Sequence, residues 1–217
     1  TGRVPARPAV IKSLQIGGIS LTNSTAMIVS SDLMQVRMGE PNSTEAAKKI
    51  DGIIGFDVIS RLHVQIDYLR STVRLAKSVK LPEGGPTRNL FWVGTPIIRL
   101  IAPGGIPIHF GLDTGAQETY ATERILGKFR VPTFLGERQH VGGFAGTKKF
   151  RGRFIRGIRL SLGRRNLLFQ KLLIFAPASA SVVNLDGVLG SDVGRTGVVL
   201  IDAANGVFSI DTPTYNR

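Results

Sequence analysis

The sequence predicts an all-β protein made of two related lobes, with few and short helices. Its apolar runs are short and are separated by Gly, Pro, Asn or Asp, and glycine alone accounts for 26 of the 217 residues. That punctuation favours strands and turns over helices. A patterned segment also occurs twice, at residues 51–58 and 186–193. Such self-similarity is the signature of a duplicated structural unit.

The repeat keeps its register over a long stretch. Asp-Gly-Ile-Ile-Gly-Phe-Asp-Val at 51–58 recurs as Asp-Gly-Val-Leu-Gly-Ser-Asp-Val at 186–193, which is 135 residues later. Ile-Asp at 66–67 recurs as Ile-Asp at 201–202 with the same offset. The chain is therefore predicted to contain two copies of one supersecondary unit.

An upstream match extends the repeat. Residues 11–16 match residues 155–160 at an offset of 144, so the first copy carries nine extra residues, around 33–49. Between the copies, residues 81–87 hold two prolines and two glycines, a composition typical of a linker. We predict short helices at 43–49, with Ser43 as the cap, and at 118–126.

One motif places a carboxylate at a strand end. An apolar segment leads into Asp-Thr-Gly-Ala at 113–116, with Thr119 shortly after it. A strand that ends in this way raises the aspartate to its tip, and the small residues allow a tight turn beneath it. The tripeptide alone also makes an ordinary turn. Two further motifs follow in order, a glycine-rich segment at 141–146 and an apolar-apolar-Gly element within 183–190.

These three motifs together resemble those of the retropepsin-like aspartic proteases, the clan of pepsin and the retroviral proteases. The resemblance covers most of residues 88–210. It implies β-barrel lobes of the retropepsin or pepsin type in a pseudo-twofold arrangement, with residues 1–83 as the carboxyl-terminal part of a first lobe and 84–217 as a complete second lobe. Gly111 departs from the pattern, which usually has a larger apolar residue there.

The resemblance also implies an activity, that of an endopeptidase which hydrolyses peptide bonds with two aspartates and without a cofactor. Asp113 would be one member of the pair, Thr114 would brace the two catalytic loops through its hydroxyl, and Gly115 would permit close backbone approach. The 142–146 segment would act as a flap over a polypeptide substrate in extended conformation. The implied catalytic residues are Asp113, Thr114 and Gly115, and the implied substrate-binding residues are Ala116, Gly142, Gly143, Phe144, Ala145 and Gly146.

The second carboxylate has three candidate sources. Gly2 aligns with Gly146, inside the flap, so the first copy begins after the place where its own Asp-Thr-Gly would stand. We expect a segment upstream of Thr1 to carry the second aspartate. The alternatives are a homodimer of second lobes and a non-catalytic peptide-binding module of protease descent.

Charge suggests a competing function. The net charge is +13 and the isoelectric point is about 10.9, with eight basic residues between Lys148 and Arg165. Such a stripe would suit a basic module that binds nucleic acid. No recognition-helix, zinc-finger or stacking motif accompanies it, so we interpret these side chains as the solvated faces of strands and do not expect nucleic acid as a partner.

Other classes of site find little support in the sequence. The three histidines lack metal-ligand spacing, which argues against a metal site. The absence of an 18-residue apolar run predicts no membrane span in this piece. Zero cysteines suit a secreted or periplasmic enzyme. Four aspartates recur with the repeat and are predicted to be strand-end or cap residues: Asp57, Asp67, Asp192 and Asp202.

Overall fold

The protein is described by a computed structural model that covers residues 5–36, 48–83, 85–128, 131–143, 146–175 and 183–211. Strands take up 55% of the chain and helices 11%, which confirms the all-β class with few, short helices. The described elements are β1 (Arg7–Ile16), β2 (Ile19–Ile28), β3 (Gln35–Val36), β4 (Lys48–Lys49), α1 (Phe56–Ile59), β5 (Leu62–Asp67), β6 (Thr72–Lys77), β7 (Leu90–Trp92), β8 (Pro96–Ala102), β9 (Ile106–Leu112), β10 (Tyr120–Ala121), α2 (Arg124–Lys128), β11 (Thr133–Gly143), β12 (Gly146–Leu162), β13 (Arg165–Ile174), β14 (Gly187–Leu189), β15 (Val198–Asp202) and β16 (Val207–Asp211).

Six strands close into a barrel. Their order is β8, β9, β14, β10, β13 and β12, and the pairing of Ser161 in β12 with Ile101 in β8 closes the ring. In β8, Ile98 and Leu100 are buried while Arg99 between them is half-exposed, which is the alternation expected of a strand with one face in the core. The apolar residues of the barrel strands that are 0% exposed are Ile98, Leu100, Ile108, Phe110, Ala121, Leu160, Leu172 and Leu189.

A second sheet has four strands in the order β16, β15, β5, β6. The two central strands run antiparallel, and Leu200 faces Gln65 at the midpoint of their pairing. Ile201 pairs with Val64 on one side of that midpoint, and Val199 pairs with Ile66 on the other. Because the repeat offset of 135 converts each of these pairs into the other, the register of this sheet is twofold symmetric.

The chain divides into two compact units. The smaller contains residues 1–58, 137–151 and 177–180, and the larger contains 59–136, 152–176 and 181–217. Residues 59–83, which the repeat assigns to the first lobe, thus belong to the larger unit together with the whole four-stranded sheet. The proposed lobe boundary between 83 and 84 concerns ancestry and stays a prediction.

The smaller unit contains the β1–β2 hairpin, in which Ile16 pairs with Ile19 across a turn whose Gly17 has a φ of 57°. A positive φ favours glycine at that position. Much of the hairpin's apolar surface is open to solvent, including Val10, Met27 and Ile28, which are 65%, 61% and 50% exposed. Only a partial core is therefore present among the described residues of this unit.

The predicted helices require correction. The helix predicted at 118–126 begins only at Arg124, as α2, because Tyr120 and Ala121 pair with β13 and β14 and form the short strand β10. Of the helix predicted at 43–49, residues 43–47 lie outside the described residues, and Lys48–Lys49 form β4, which pairs with β3. No helix in the described part of the chain has the length and apolar character needed to cross a membrane.

Candidate active site

Asp113 lies in the loop that follows β9, with its side chain exposed. Its backbone N–H donates to the carbonyl of Leu189 at 3.0 Å, so the loop is tied to the end of β14. Its Oδ1 accepts hydrogen bonds from the backbone N–H groups of Gly115 at 3.0 Å and Ala116 at 3.2 Å. The turn thus fixes the orientation of the carboxylate while leaving it accessible.

Space beside the Asp113 carboxylate is short at Gly115. A Cβ at this position would lie 3.2 Å from Oδ1 of Asp113, closer than most such contacts. Thr114 is half-buried in the same turn. Its predicted role of bracing two catalytic loops requires a second loop and stays a prediction.

Strand β14 supports the loop from one side. It pairs parallel to β9, with Gly187 opposite Phe110 and Leu189 opposite Leu112, so both strands end at the same edge of the barrel. A Cβ at Gly187 would collide with the carbonyl oxygen of Tyr120 and would lie 2.6 Å from the Phe110 ring. Only glycine therefore allows β14 to fit between its two neighbours.

A second set of hydrogen bonds holds the far end of the loop. Thr119 is 5% exposed, and its N–H and hydroxyl both donate to Oδ1 of Asp192, at 3.0 and 2.6 Å. The same hydroxyl accepts the N–H of Gly190 at 3.0 Å. Ser191 adds bonds from its N–H and hydroxyl to the carbonyl of Ala116, at 2.8 and 3.0 Å. We call Thr119, Gly190 and Asp192 the loop clamp.

Tyr120 borders the site from β10. It is half-buried and meets Phe175 edge to face, with ring centroids 5.5 Å apart. Burial, together with the negative charge of Asp113, raises the pKa of Tyr120 to about 12.

The structure explains why a glycine stands at 111. Val188 is its pairing partner in β14, and a Cβ on Gly111 would lie 3.0 Å from Cδ1 of Leu185 and 3.7 Å from Cγ2 of Val188. Leu185 and Val188 occupy the space that a larger residue at 111 would fill. Glycine at 111 therefore fits beside these two side chains.

The predicted flap falls partly within the described residues. Gly142 and Gly143 lie in β11 and Gly146 lies in β12. Phe144 and Ala145 lie outside the described residues. Contact between this segment and a substrate stays a prediction.

The repeated aspartates all accept hydrogen bonds. Asp67 and Asp202 end the strands β5 and β15, as predicted, whereas Asp57 lies in α1 and Asp192 in the 3-10 helix Ser191–Gly194. Asp192 belongs to the loop clamp, Asp67 accepts the N–H groups of the turn after β5, and Asp57 accepts the hydroxyl of Thr25 at 3.2 Å. Asp202 is 2% exposed. Burial alone would raise the pKa of Asp202, but hydrogen bonds from Asn205, Ser78 and His63 outweigh it and lower that pKa.

Sequence reasoning matched Thr119 to the family pattern but did not find that it bonds to Asp192. The two are 73 residues apart in the chain, and no local pattern announces their contact. The same holds for Tyr120, which the sequence did not indicate as a neighbour of Asp113.

In the described ranges, no group of three or more His, Asp or Glu is arranged to hold a metal ion. Comparison of the chain with protein-family models and with curated proteins found no match to either.

Proposed function

We propose that this protein is an aspartic endopeptidase in which Asp113 is one of two catalytic carboxylates. The observation that carries the proposal is the Asp113 loop. It combines an exposed carboxylate, two backbone N–H groups that orient it, and a buried clamp that holds the turn after β9 beside the end of β14. The two N–H bonds alone make a turn like that of Asp67, so the buried clamp is what distinguishes the Asp113 loop. A reacting group must be held in a fixed geometry, and the clamp supplies that support.

The chemistry needs a second aspartate. Two carboxylates held about 3 Å apart cannot both ionise, so they share one proton. One then accepts a proton from the attacking water while the other donates a proton to the carbonyl oxygen of the scissile bond. The substrate would be an extended polypeptide, whose backbone can pair with strand edges.

We propose that the second aspartate belongs to the first of two lobes related by a pseudo-twofold axis. The register symmetry of the four-stranded sheet supports this arrangement, because its centre at Gln65 and Leu200 relates β5 and β6 to β15 and β16. The aspartate itself would lie on a polypeptide segment outside the 217 residues. A dimer of second lobes would not account for the symmetric register of β5 and β15 within one chain.

Inhibitors test the proposal. The complete protein should cleave peptides best in acid, because the pair works only while it retains its shared proton. Statine-type analogues of the tetrahedral intermediate should block cleavage, since they bind the transition-state geometry, and chelators should not. Cleavage that persists with such an analogue and stops with a chelator would reject the aspartate mechanism.

A further inference from the structure

One stretch of the chain concentrates positive charge. Residues 138–185 contain neither Asp nor Glu, and residues 152–175, most of which lie in β12 and β13, contain six Arg or Lys. Arg153 has an acidic partner from elsewhere in the chain, Glu123 at 2.7 Å. The β12–β13 hairpin therefore carries an excess of positive charge within the larger unit.

Two of these cations face each other across the hairpin. Arg156 in β12 is the register partner of Lys171 in β13, and both side chains are exposed. Like charges directly opposite one another destabilise an antiparallel pair. Within the described part of the chain, neither side chain forms an ion pair. An external anion between the two cations would offset their repulsion.

Each of the two cations is held over an aromatic ring. The guanidinium carbon of Arg156 lies 4.9 Å from the centroid of the Phe134 ring, and Nζ of Lys171 lies 4.0 Å from the centroid of the Phe154 ring. Phe154 is 5% exposed, and Gly136 leaves the space that its ring occupies, since a Cβ there would collide with it. Cation–π attraction of this kind holds the two cations close to the strands although their charges repel.

Exposed apolar side chains adjoin the two cations. The strand β11 lies at an edge of its sheet as described, and its residues Phe134 and Leu135 are 41% and 66% exposed. Because Phe134 contacts Arg156, apolar and cationic groups share one surface. We call Phe134, Leu135, Arg156 and Lys171 the basic patch. Cations beside exposed apolar side chains are typical of protein surfaces that lie on anionic membranes.

We propose that the basic patch binds the surface of an anionic phospholipid membrane. Arg156 and Lys171 bind lipid phosphate groups, and Phe134 and Leu135 enter the boundary between the headgroups and the acyl chains. The contact is peripheral. It is independent of the proposed catalysis, because no residue of the basic patch belongs to the Asp113 loop or to the loop clamp.

Two other occupants fit the basic patch less well. Nucleic acid supplies phosphates, but its backbone offers no apolar layer for Leu135. A second copy of this chain also has a net charge of +13 and would bring the same cations against each other. An anionic membrane matches both the charge and the apolar side chains of the patch.

The test measures binding of the complete protein to lipid vesicles by cosedimentation. Vesicles of phosphatidylcholine with phosphatidylglycerol should bind the protein, vesicles of phosphatidylcholine alone should bind it far less, and added salt should weaken the binding. Lys171→Gln should reduce the affinity roughly fivefold, the contribution of one cation at an anionic membrane surface. Arg164→Gln is the matched control, because it removes one exposed charge at the turn between β12 and β13, outside the basic patch. Its effect should be smaller.

Leu135→Ser tests the apolar part of the basic patch. Loss of this side chain should weaken binding to the anionic vesicles while leaving binding to duplex DNA unchanged. All three variants should keep the thermal midpoint of the parent protein, because the replaced side chains are exposed. A change in binding then reports on the surface and not on folding.

Three outcomes would overturn the proposal. One is the absence of binding to anionic vesicles at low salt, and another is an equal loss of affinity in Lys171→Gln and Arg164→Gln. The third is vesicle binding that Leu135→Ser leaves unchanged, in which case competition by duplex DNA would identify nucleic acid as the partner. None of them bears on whether Asp113 is catalytic, which the hydrolysis assay of the complete protein decides separately.

Discussion

The carboxylates of Asp113 and Asp186 have different surroundings in this protein. Asp113 is exposed at a loop, while Asp186 is 1% exposed and lies 2.7 Å from Nζ of Lys128. The backbone N–H of His109 also donates to Asp186. A buried charge needs such partners, whereas a carboxylate that reacts with substrate must be reachable. Burial thus distinguishes Asp186 from Asp113.

Replacing Lys128 with Met should destabilise the fold. The change leaves Asp186 as a buried charge with its closest cation removed, which costs about 3–5 kcal/mol. Arg124→Met is the control, because that guanidinium is 4.0 Å from Asp186 and 51% exposed and should matter much less. Urea denaturation of both variants measures the difference, and equal stabilities would show that Lys128 is not the main partner.

The free energy of unfolding should depend on pH through the carboxylate of Asp202. Its pKa is lowered in the folded protein from an ordinary value of 3.8, so its stabilising contribution is present above that pH and is lost as the pH falls through the folded-state pKa. The Asp202→Asn variant should be less stable than the parent at neutral pH, and the gap should shrink at about pH 2.5. A gap that stays constant in denaturation experiments at the two pH values would exclude this linkage.

Some strands of this protein are determined by pairing with distant segments and not by their local sequence. The division of the chain into short strands separated by turns was predicted, since turn chemistry is local. Strand β10 could not be predicted, because its two residues become a strand only by pairing with β13 and β14, far along the chain. The predicted helix therefore began too early.

The turns of the β1–β2 and β12–β13 hairpins give a more exact alignment of the two copies of the repeat. The turn glycines Gly17 and Gly163 correspond, and both have a φ of 57°. They stand 146 residues apart, two more than the offset that matched 11–16 with 155–160. Similar apolar residues recur every second position in a strand, so a shift of two residues keeps the pattern and is hard to detect by sequence alone.

The loop clamp should be sensitive to the Thr119 hydroxyl. Thr119→Val removes a donor to Asp192 and an acceptor for the N–H of Gly190, both in a buried setting, and should cost roughly 1–3 kcal/mol. Amide exchange at Gly115 and Ala116 should speed up, because the turn loses its anchor. Thr122→Val is the comparison, since its hydroxyl makes one bond, to Leu185. Equal effects of the two substitutions would contradict the clamp.

For the whole molecule, the internal repeat predicted more of the fold than the amino-acid composition did. The match of 66–67 with 201–202 corresponds to strands that lie side by side with a symmetric register. The candidate site was predicted at Asp113 and its turn, because the motif is contiguous. The sequence did not show that one copy of the repeat is packed inside a barrel while the other, at Ile53 and Ile54, is open to solvent. Burial depends on which strands surround a segment, and that information is not local.

Peptide hydrolysis in acidic buffer by the complete protein and by its Asp113→Asn variant tests the catalytic role of Asp113 most directly. An amide fits the volume of the carboxylate and can still accept the N–H groups of Gly115 and Ala116, so the fold should be retained. It cannot share the proton of a carboxylate pair, and the rate should fall by at least about a hundredfold. Turnover by a correctly folded Asp113→Asn protein that equals the parent's would contradict the assignment of Asp113 to catalysis.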